Sequence, residues 1–547
     1  MQDRWITDWP TSQRFPHYTR ANAGEVLADP VSPLGWSFGW DGGIVAGYKA
    51  GLIRIGAYED SDFNPQHPES VACFGGYFYI NLSAIRMQGV RNPAATVAAL
   101  DQAFFGDHPD VPTYVAHPDD EKPHLTAGID AHTAWIMSGV AWPELDADKA
   151  KAAELRASRG YLSSYTDAQL VARARVVQAQ LPHLFSQHVV SGSSAAVAPG
   201  LLGVVAEAIG EPSLPMALLS SIGDVDSADA NYALWNLSRM VHNDAQLTAA
   251  FNTGLNNGLL QINSAFTAAW NEFIVEFGSR GPDEWDLRSP TWETHPQLLL
   301  AALDRVRLQT DAESPHERHI ALADKHDVAP LLDLGLGAGK MMAHRERTKT
   351  SIVRVLHEAR VAFRELGRRH GHDELIFQVL DSELDDYIVN PSSFTNKLTQ
   401  RYNEWRELFD LEPPFIIANA TVAPLSQWAR KDARVVKVAT TGDALIGVAG
   451  SPGVARGIAR VVLDPGDPGE LEPGDILVAP CTDPSWTPLF MTSAAVVVNV
   501  GGQISHAVIV SRELGVPCVV SITDGTQRIP NGAMIEVNGT TGVVTIL

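Results

Sequence analysis

Few residues in this sequence have both the type and the setting for chemistry, and His506 is the foremost. It follows Gly501-Gly502-Gln503-Ile504-Ser505 and heads an apolar run of Ala507, Val508, Ile509, Val510 and Leu514 that stops at Gly515, with Pro517 just beyond. That punctuation predicts a short helix ended by glycine and barred by proline. The β-branched run 494–500 before it predicts a buried strand. His506 therefore falls in a first helical turn, where backbone N–H groups and the positive end of the dipole suit an anion. An imidazole there is held neutral and can attack phosphorus, and a phosphoryl group placed on it meets ready donors. Gly501, Gly502 and Ser505 are the phosphate-binding candidates beside it.

A second pattern concerns two cations. Ile352, Val355, Leu356, Ala359, Phe363 and Leu366 form an apolar stripe at helical spacing, predicting a helix over 341–366. Followed backwards, the same face passes through Lys349 and Arg345. Like charges one turn apart on an inward face repel and cost desolvation, unless an anion lies between them or carboxylates elsewhere pair with them. The pattern alone leaves both readings open. Upstream, Gly335-Leu336-Gly337-Ala338-Gly339-Lys340 is glycine-rich, but Leu334 and Met341 stand where a phosphate-binding loop needs glycine and Ser/Thr. His316 with His319, and His370 with His372, have no carboxylate or cysteine company at ligand spacing and read as surface histidines. No metal-ligand set is found.

The elements that must position these groups fall into two parts. Residues 75–83 read as a strand, and the chain after it is largely helical. Thr166 with Gln169 is a capping box for a helix to about 190, broken by the Ser/Gly/Ala tract 191–200. Further helices are expected at 231–251 and 262–277. The loop 278–292, charged and carrying two tryptophans, reads either as a solvated helix connection or as a pocket edge. Residues 413–446, with Pro413-Pro414 and mixed charge, read as an extended linker. Beyond it come strands at 457–463, 475–481, 494–500, 518–522, 534–537 and 543–547, with helices at 484–491 and 505–514. The expected fold class is multidomain α+β: a mostly helical substrate-binding domain with a β-containing N-terminal part (1–412), the linker, and a β/α swivelling domain (447–547).

Composition narrows the function classes. At 547 residues the chain exceeds a single core. Lys plus Arg is 41 against 64 Asp plus Glu, a net charge of −23 with no basic stripe, which argues against nucleic acid and anionic membranes. Cys73, Cys481 and Cys518 are too scattered for a disulfide framework or a metal pair. Residues 1–10 lack the layout of a signal peptide, and no apolar run is long enough to span a bilayer, so the expected location is the cytoplasm.

The stretch GGQISHAVIVSRELGVPCVV resembles the phosphohistidine signature of the PEP-utilising enzymes: glycine pair, small hydroxyl residue, histidine, aliphatic run, Arg-Glu and Gly-Val-Pro in order. In that family the histidine is phosphorylated and carried between two active sites on a swivelling domain, and His506 matches it. Arg345-Glu346-Arg347-Thr348-Lys349 resembles the Arg-Glu-x-x-Lys element of the rifampicin phosphotransferases, with Thr348 where a proline is usual. The resemblance implies a role for Arg345 and Lys349 in phosphoryl transfer. Residues 19–34 and 278–292 resemble segments of the same substrate domain, making Asn22, Glu25, Arg280 and Glu284 its substrate-binding candidates. The order of parts resembles the two-subunit aryl dikinases, phenylphosphate synthase and hydroxyacetophenone kinase, which keep ATP binding on another chain. No ATP-grasp domain fits before residue 19 and no pyruvate barrel after His506. The resemblance therefore implies a dikinase subunit that moves the β-phosphate of ATP through His506 to a small hydroxylated aromatic. ATP and Mg²⁺ would be bound mainly by a separate ATP-grasp subunit. The rival expectations are a rifamycin-type antibiotic phosphotransferase and a non-enzymatic phosphocarrier; no general base is evident.

Overall fold

The computed structural model describes residues 4–67, 69–92, 96–105, 110–138, 141–208, 225–308, 329–431, 436–502 and 505–547. His316, His319, Gln503 and Ile504 lie outside the described residues. The chain is multidomain α+β and forms two compact units, each gathered from distant segments. One comprises Met1–Ser194, Trp285–Ser289 and Arg347–Val435; the other comprises Ala195–Glu284, Pro290–Glu346 and Val436–Leu547. The helical body expected over 1–412 thus contributes to both.

In the first unit, 75–83 is not one strand. Val71–Phe74 and Tyr77–Asn81 form a hairpin that turns on Gly75-Gly76, and Asn81 caps the helix Leu82–Arg91 by accepting from the Ala84 N–H. The hairpin joins Tyr18–Thr19 and Ile416–Ile417 in a four-stranded antiparallel sheet. Both halves of the Thr166–Gln169 capping box are present, and the helix Asp167–Gln178 follows it. The next helix, Leu181–Ala208, runs through the Ser/Gly/Ala tract expected to break it. The hydroxyls of Ser191 and Ser194 bond back to the carbonyls of His188 and Val190, so they are satisfied without leaving the helix. The stripe from Ile352 to Leu366 is buried, on a helix longer than expected, Ala329–Arg369. Gly335 to Lys340 lies inside that helix, not in a loop, which removes any phosphate-loop geometry there. His372 is not a surface residue: it is 3% exposed, with its two ring nitrogens against the Tyr387 and Thr395 hydroxyls.

The second unit joins helices to the β/α module. The expected helix 231–251 is two, Asp226–Asn243 and Ala245–Thr253, because Asp244 caps the second by accepting from the Gln246 and Leu247 N–H groups. Ser264–Phe277 and Pro296–Val306 follow. The module is built on an eight-stranded sheet. Its central strands Val454–Val461, Ile476–Ala479, Ala495–Val498 and Cys518–Val520 run parallel. Val448–Ser451 flanks them antiparallel on one side, and Met534–Asn538, Val543–Ile546 and Ala444–Ile446 on the other. Leu234, Trp270 and Leu300 from the helices share one apolar cluster with Leu489, Phe490, Val508 and Val510 of the module. Much of the stretch expected as a linker is built in: Leu411–Glu412 pairs with Ala429–Arg430, and Ala444–Ile446 belongs to the large sheet.

Candidate active site

His506 is the first residue of the helix His506–Leu514. The strand Ala495–Val498 delivers the chain to it, and the N–H groups of Asn499 and Val500 stay bonded to the Ala479 and Pro480 carbonyls before the chain turns away. Space around position 501 is tight. A Cβ there would come within 3.0 Å of the Val520 Cβ and 3.1 Å of the Ser505 hydroxyl. The Gly501 carbonyl accepts from the Ser521 hydroxyl at 2.5 Å, and the Ser505 N–H donates to the Gly502 carbonyl at 3.0 Å. The helix ends as expected, with Gly515 in the left-handed region at φ 64°.

Ser505 occupies the N-cap position, but its side chain makes no cap bond, and its buried hydroxyl has no hydrogen-bond partner among the described residues. A buried hydroxyl left unbonded costs about 1–3 kcal/mol. At a helix N-terminus, such a group is suited to an arriving anion. His506 as a whole is 8% exposed. Its Nδ1 lies 3.4 Å from the Thr482 hydroxyl, and the Phe490 ring stands edge-on at 6.1 Å. Thr482 follows the strand Ile476–Ala479, the parallel neighbour of the strand that leads to His506. The site therefore sits beyond the C-terminal ends of adjacent parallel strands, where open α/β sheets bind their ligands. Either atom can donate across that contact; when Nδ1–H is the donor, the lone pair lies on Nε2.

The basic pair has a neighbour that the helical pattern did not flag. Arg345 Nη1 is 2.6 Å from Glu346 Oε1, and the Glu346 side chain is 2% exposed. A carboxylate thus compensates Arg345. Lys349 is buried one turn on, and between them Thr348 places its hydroxyl 3.0 Å from both His188 Nδ1 and the Ser191 hydroxyl. The His188 ring packs against Trp285 at 5.6 Å and Phe185 at 5.5 Å, and Trp285 against Trp40 at 6.1 Å. Sequence reading missed His188, because it lies within an apolar helical stretch and carries no motif.

The remaining expected residues fall in both units. Asn22, at φ 59°, precedes the short helix Ala23–Val26 that holds Glu25, in the first unit. Arg280 and Glu284 belong to the second unit and are ion-paired at 3.1 Å, both almost fully buried. The loop around them is not a solvated connection, since Trp285 and Trp292 are buried as well. Asp286 accepts from the Ser32 N–H and hydroxyl at 2.8 and 2.5 Å. Among the described residues, no three His, Cys, Asp or Glu side chains are gathered as a metal ion requires, and none of the helices is long and apolar enough to cross a membrane.

The fold and the motif around His506 define the C-terminal module as the mobile domain of a PEP-utilising enzyme. Residues 471–542 match the profile of that domain, and residues 185–365 match the fourth domain of rifampicin phosphotransferase. Two segments of the chain are thus similar to domains of the PEP-utilising enzymes and of rifampicin phosphotransferase. It is 31% identical over 280 residues to an uncharacterized protein of Mycobacterium tuberculosis, covering 50% of this chain and 31% of that one. It is also 31% identical over 300 residues to the rifampicin phosphotransferase of Streptomyces sviceus (50% and 34%). To the prodigiosin synthesizing transferase PigC of Serratia marcescens it is 29% identical over 302 residues (51% and 33%). The chain spans about a third of the length of these relatives.

Proposed function

We propose that this chain is the substrate and phosphohistidine subunit of an ATP-dependent dikinase. His506 Nε2 takes the β-phosphate of ATP from a nucleotide held by a separate ATP-grasp subunit with Mg²⁺, the α–β bond breaking to leave AMP and the γ-phosphate passing to water as inorganic phosphate, and hands the β-phosphate to the hydroxyl of a small phenolic acceptor. The observation that carries the reading is His506 itself: it stands in the first turn of a helix, with Nδ1 engaged by Thr482 and the buried, unbonded Ser505 hydroxyl beside it. The N-terminal turn stabilises the phosphoryl charge, while Thr482 sets the tautomer that leaves Nε2 nucleophilic. Phosphoryl transfer is mostly positioning and charge stabilisation, the work assigned to Arg345 and Lys349. His188, fixed through Nδ1 by Thr348 beside Lys349 and flanked by aromatic rings, is the group assigned to take the acceptor proton. A phenol, with a pKa of about 10, asks less of such a base than an alcohol does.

The test is labelling with [β-³²P]ATP. The chain alone is expected to stay unlabelled, and the chain with its ATP-grasp subunit and Mg²⁺ to acquire an acid-labile, base-stable phosphate on His506. Labelling that persists in His506→Ala would overturn the reading. A second reading, transfer to a rifamycin, is favoured by the likeness to a rifampicin phosphotransferase over half of this chain. Phenols and rifamycins offered side by side at equal concentration to the labelled chain separate the two.

A further inference from the structure

Two of the residues around the His506 imidazole, Thr482 and Phe490, flank a single acidic residue in sequence. Asp483 follows Thr482 directly. One of its carboxylate oxygens accepts from the Ser485 N–H at 2.8 Å and from the Ser485 hydroxyl. That arrangement is an Asx turn, and it steers the chain from Thr482 into the turn Pro484–Trp486 and the helix Thr487–Thr492, which carries Phe490. An Asx turn needs only one carboxylate oxygen. The other accepts the N–H of Asp283, 200 positions away, at 3.1 Å. Asp283 is held in the left-handed region at φ 46°, next to the buried Arg280–Glu284 pair, and the Trp292 N–H closes that loop onto the Arg280 carbonyl.

We propose that Asp483 is a positioning residue for His506, tying the Thr482 hydroxyl that engages the imidazole to the loop around Asp283, so that Nε2 is aimed only while that tie holds. The proposal rests on the reading of His506 as the phosphoryl carrier. The site retains this carboxylate at a cost. Burial, aided by the nearby negative charge of Glu284 and opposed by the bonds from Ser485 and Asp283, pushes Asp483 up to about 6. The charged and titratable groups near it include Asp283 and Glu284 from the loop, Arg280 paired with Glu284, His506 beyond Thr482, and Arg305 and Asp464 on the cavity wall shared with Ser485; no cation forms an ion pair with Asp483 among the described residues. An uncharged turn residue would hold the Asx turn without that cost, but an asparagine amide would turn a donor toward the Asp283 N–H.

The test uses the full chain labelled with [¹⁵N]histidine, with the His506 signals assigned by difference against His506→Gln. At pH 8, Asp483→Asn is expected to shift the tautomer population of His506 away from the Nδ1–H form by about fivefold or more, and to slow phosphorylation of His506 by phosphoramidate about tenfold. Thr482→Val should do the same, and the double variant should be no worse than Thr482→Val alone, because Asp483 acts through Thr482. An unchanged tautomer and rate in Thr482→Val overturns the proposal whether or not Asp483→Asn folds, as does full additivity of the two changes. Failure of phosphoramidate to label His506 in the unaltered chain would instead remove the carrier reading, which the tautomer measurement does not depend on.

Discussion

Replacing Arg345 with alanine takes away the guanidinium 2.6 Å from a Glu346 side chain that is only 2% exposed. Removing one partner of a buried ion pair costs about 3–5 kcal/mol, because the other charge stays desolvated. The Arg345 side chain is 15% exposed, so water reaches the pair from that side and the lower end, about 3 kcal/mol, is the expected loss. Glu346→Gln alone should cost less, and Arg345→Ala with Glu346→Gln should recover about 1–2 kcal/mol relative to the sum of the single changes. The assay is urea unfolding of the four proteins of this double-mutant cycle at pH 7, run beside transfer from phosphorylated His506 to acceptor. If Arg345 does chemistry, the double variant regains stability but stays about 10²-fold slow in transfer. A double variant that regains both would make the arginine a purely structural partner of Glu346. A single Arg345→Ala variant with undiminished stability would refute the account of the pair altogether.

Lys349→Ala should slow acceptor phosphorylation about 10²-fold while leaving His506 open to labelling; a loss of labelling itself would place the lysine elsewhere in the reaction. Gly501→Ala forces a Cβ to 3.0 Å from Val520 and is expected to cost about 1–2 kcal/mol in thermal unfolding; an unchanged melting temperature would show that the strand yields there. Burial alone would raise the Glu383 carboxyl, but hydrogen bonds from Arg401, Lys397 and the Leu380 N–H outweigh it and bring it down to about 2. Its folded pKa lies below its unfolded one, so its contribution is present above about pH 4.5 and lost as the pH falls toward 2. Glu383→Gln should therefore unfold about 2–3 kcal/mol more easily at pH 7 and converge with the unaltered chain near pH 2. Asp8 runs the other way. Burial pushes it up to about 6 despite bonds from the Trp5 and Gly75 N–H groups, so the folded state holds the extra proton between about pH 4 and 6, and stability falls as the pH rises through that window. Asp8→Asn should remove that fall, and an unchanged pH profile of the melting temperature would count against it.

The helix carrying His506 was legible because glycine and proline punctuate it on both sides, and those residues act through their own backbone whatever packs nearby. The strands Ile476–Ala479, Ala495–Val498 and Cys518–Val520 were legible because parallel strands buried on both faces read as continuous apolar runs. Glu346 was not, since an i,i+1 neighbour lies off the face that a helical wheel examines, and a long arginine side chain can fold back to it regardless. The tie between Asp283 and Asp483 joins residues 200 positions apart through a backbone N–H that no side-chain pattern encodes. His372 read as a surface residue because no carboxylate or cysteine stands at ligand spacing from it, but the Tyr387 and Thr395 hydroxyls that satisfy its buried ring lie too far along the chain to show in such spacing. The stretch 413–446 was read from prolines and charge as a tether, but short strands need only two or three residues each to pair, too few to leave a periodic trace.

The apolar cluster shared by the β/α module and the helices between Asp226 and Val306 bears on how this protein can be handled. A fragment cut just ahead of Ala444 would keep the whole sheet and the histidine, yet it would bare Leu489, Phe490, Val508 and Val510, which share their apolar cluster with Leu234, Trp270 and Leu300. Such a patch on an isolated fragment is an adhesive one. Expressed alone, the module should self-associate in proportion to its concentration, whereas a fragment pair that restores the helices should stay dispersed.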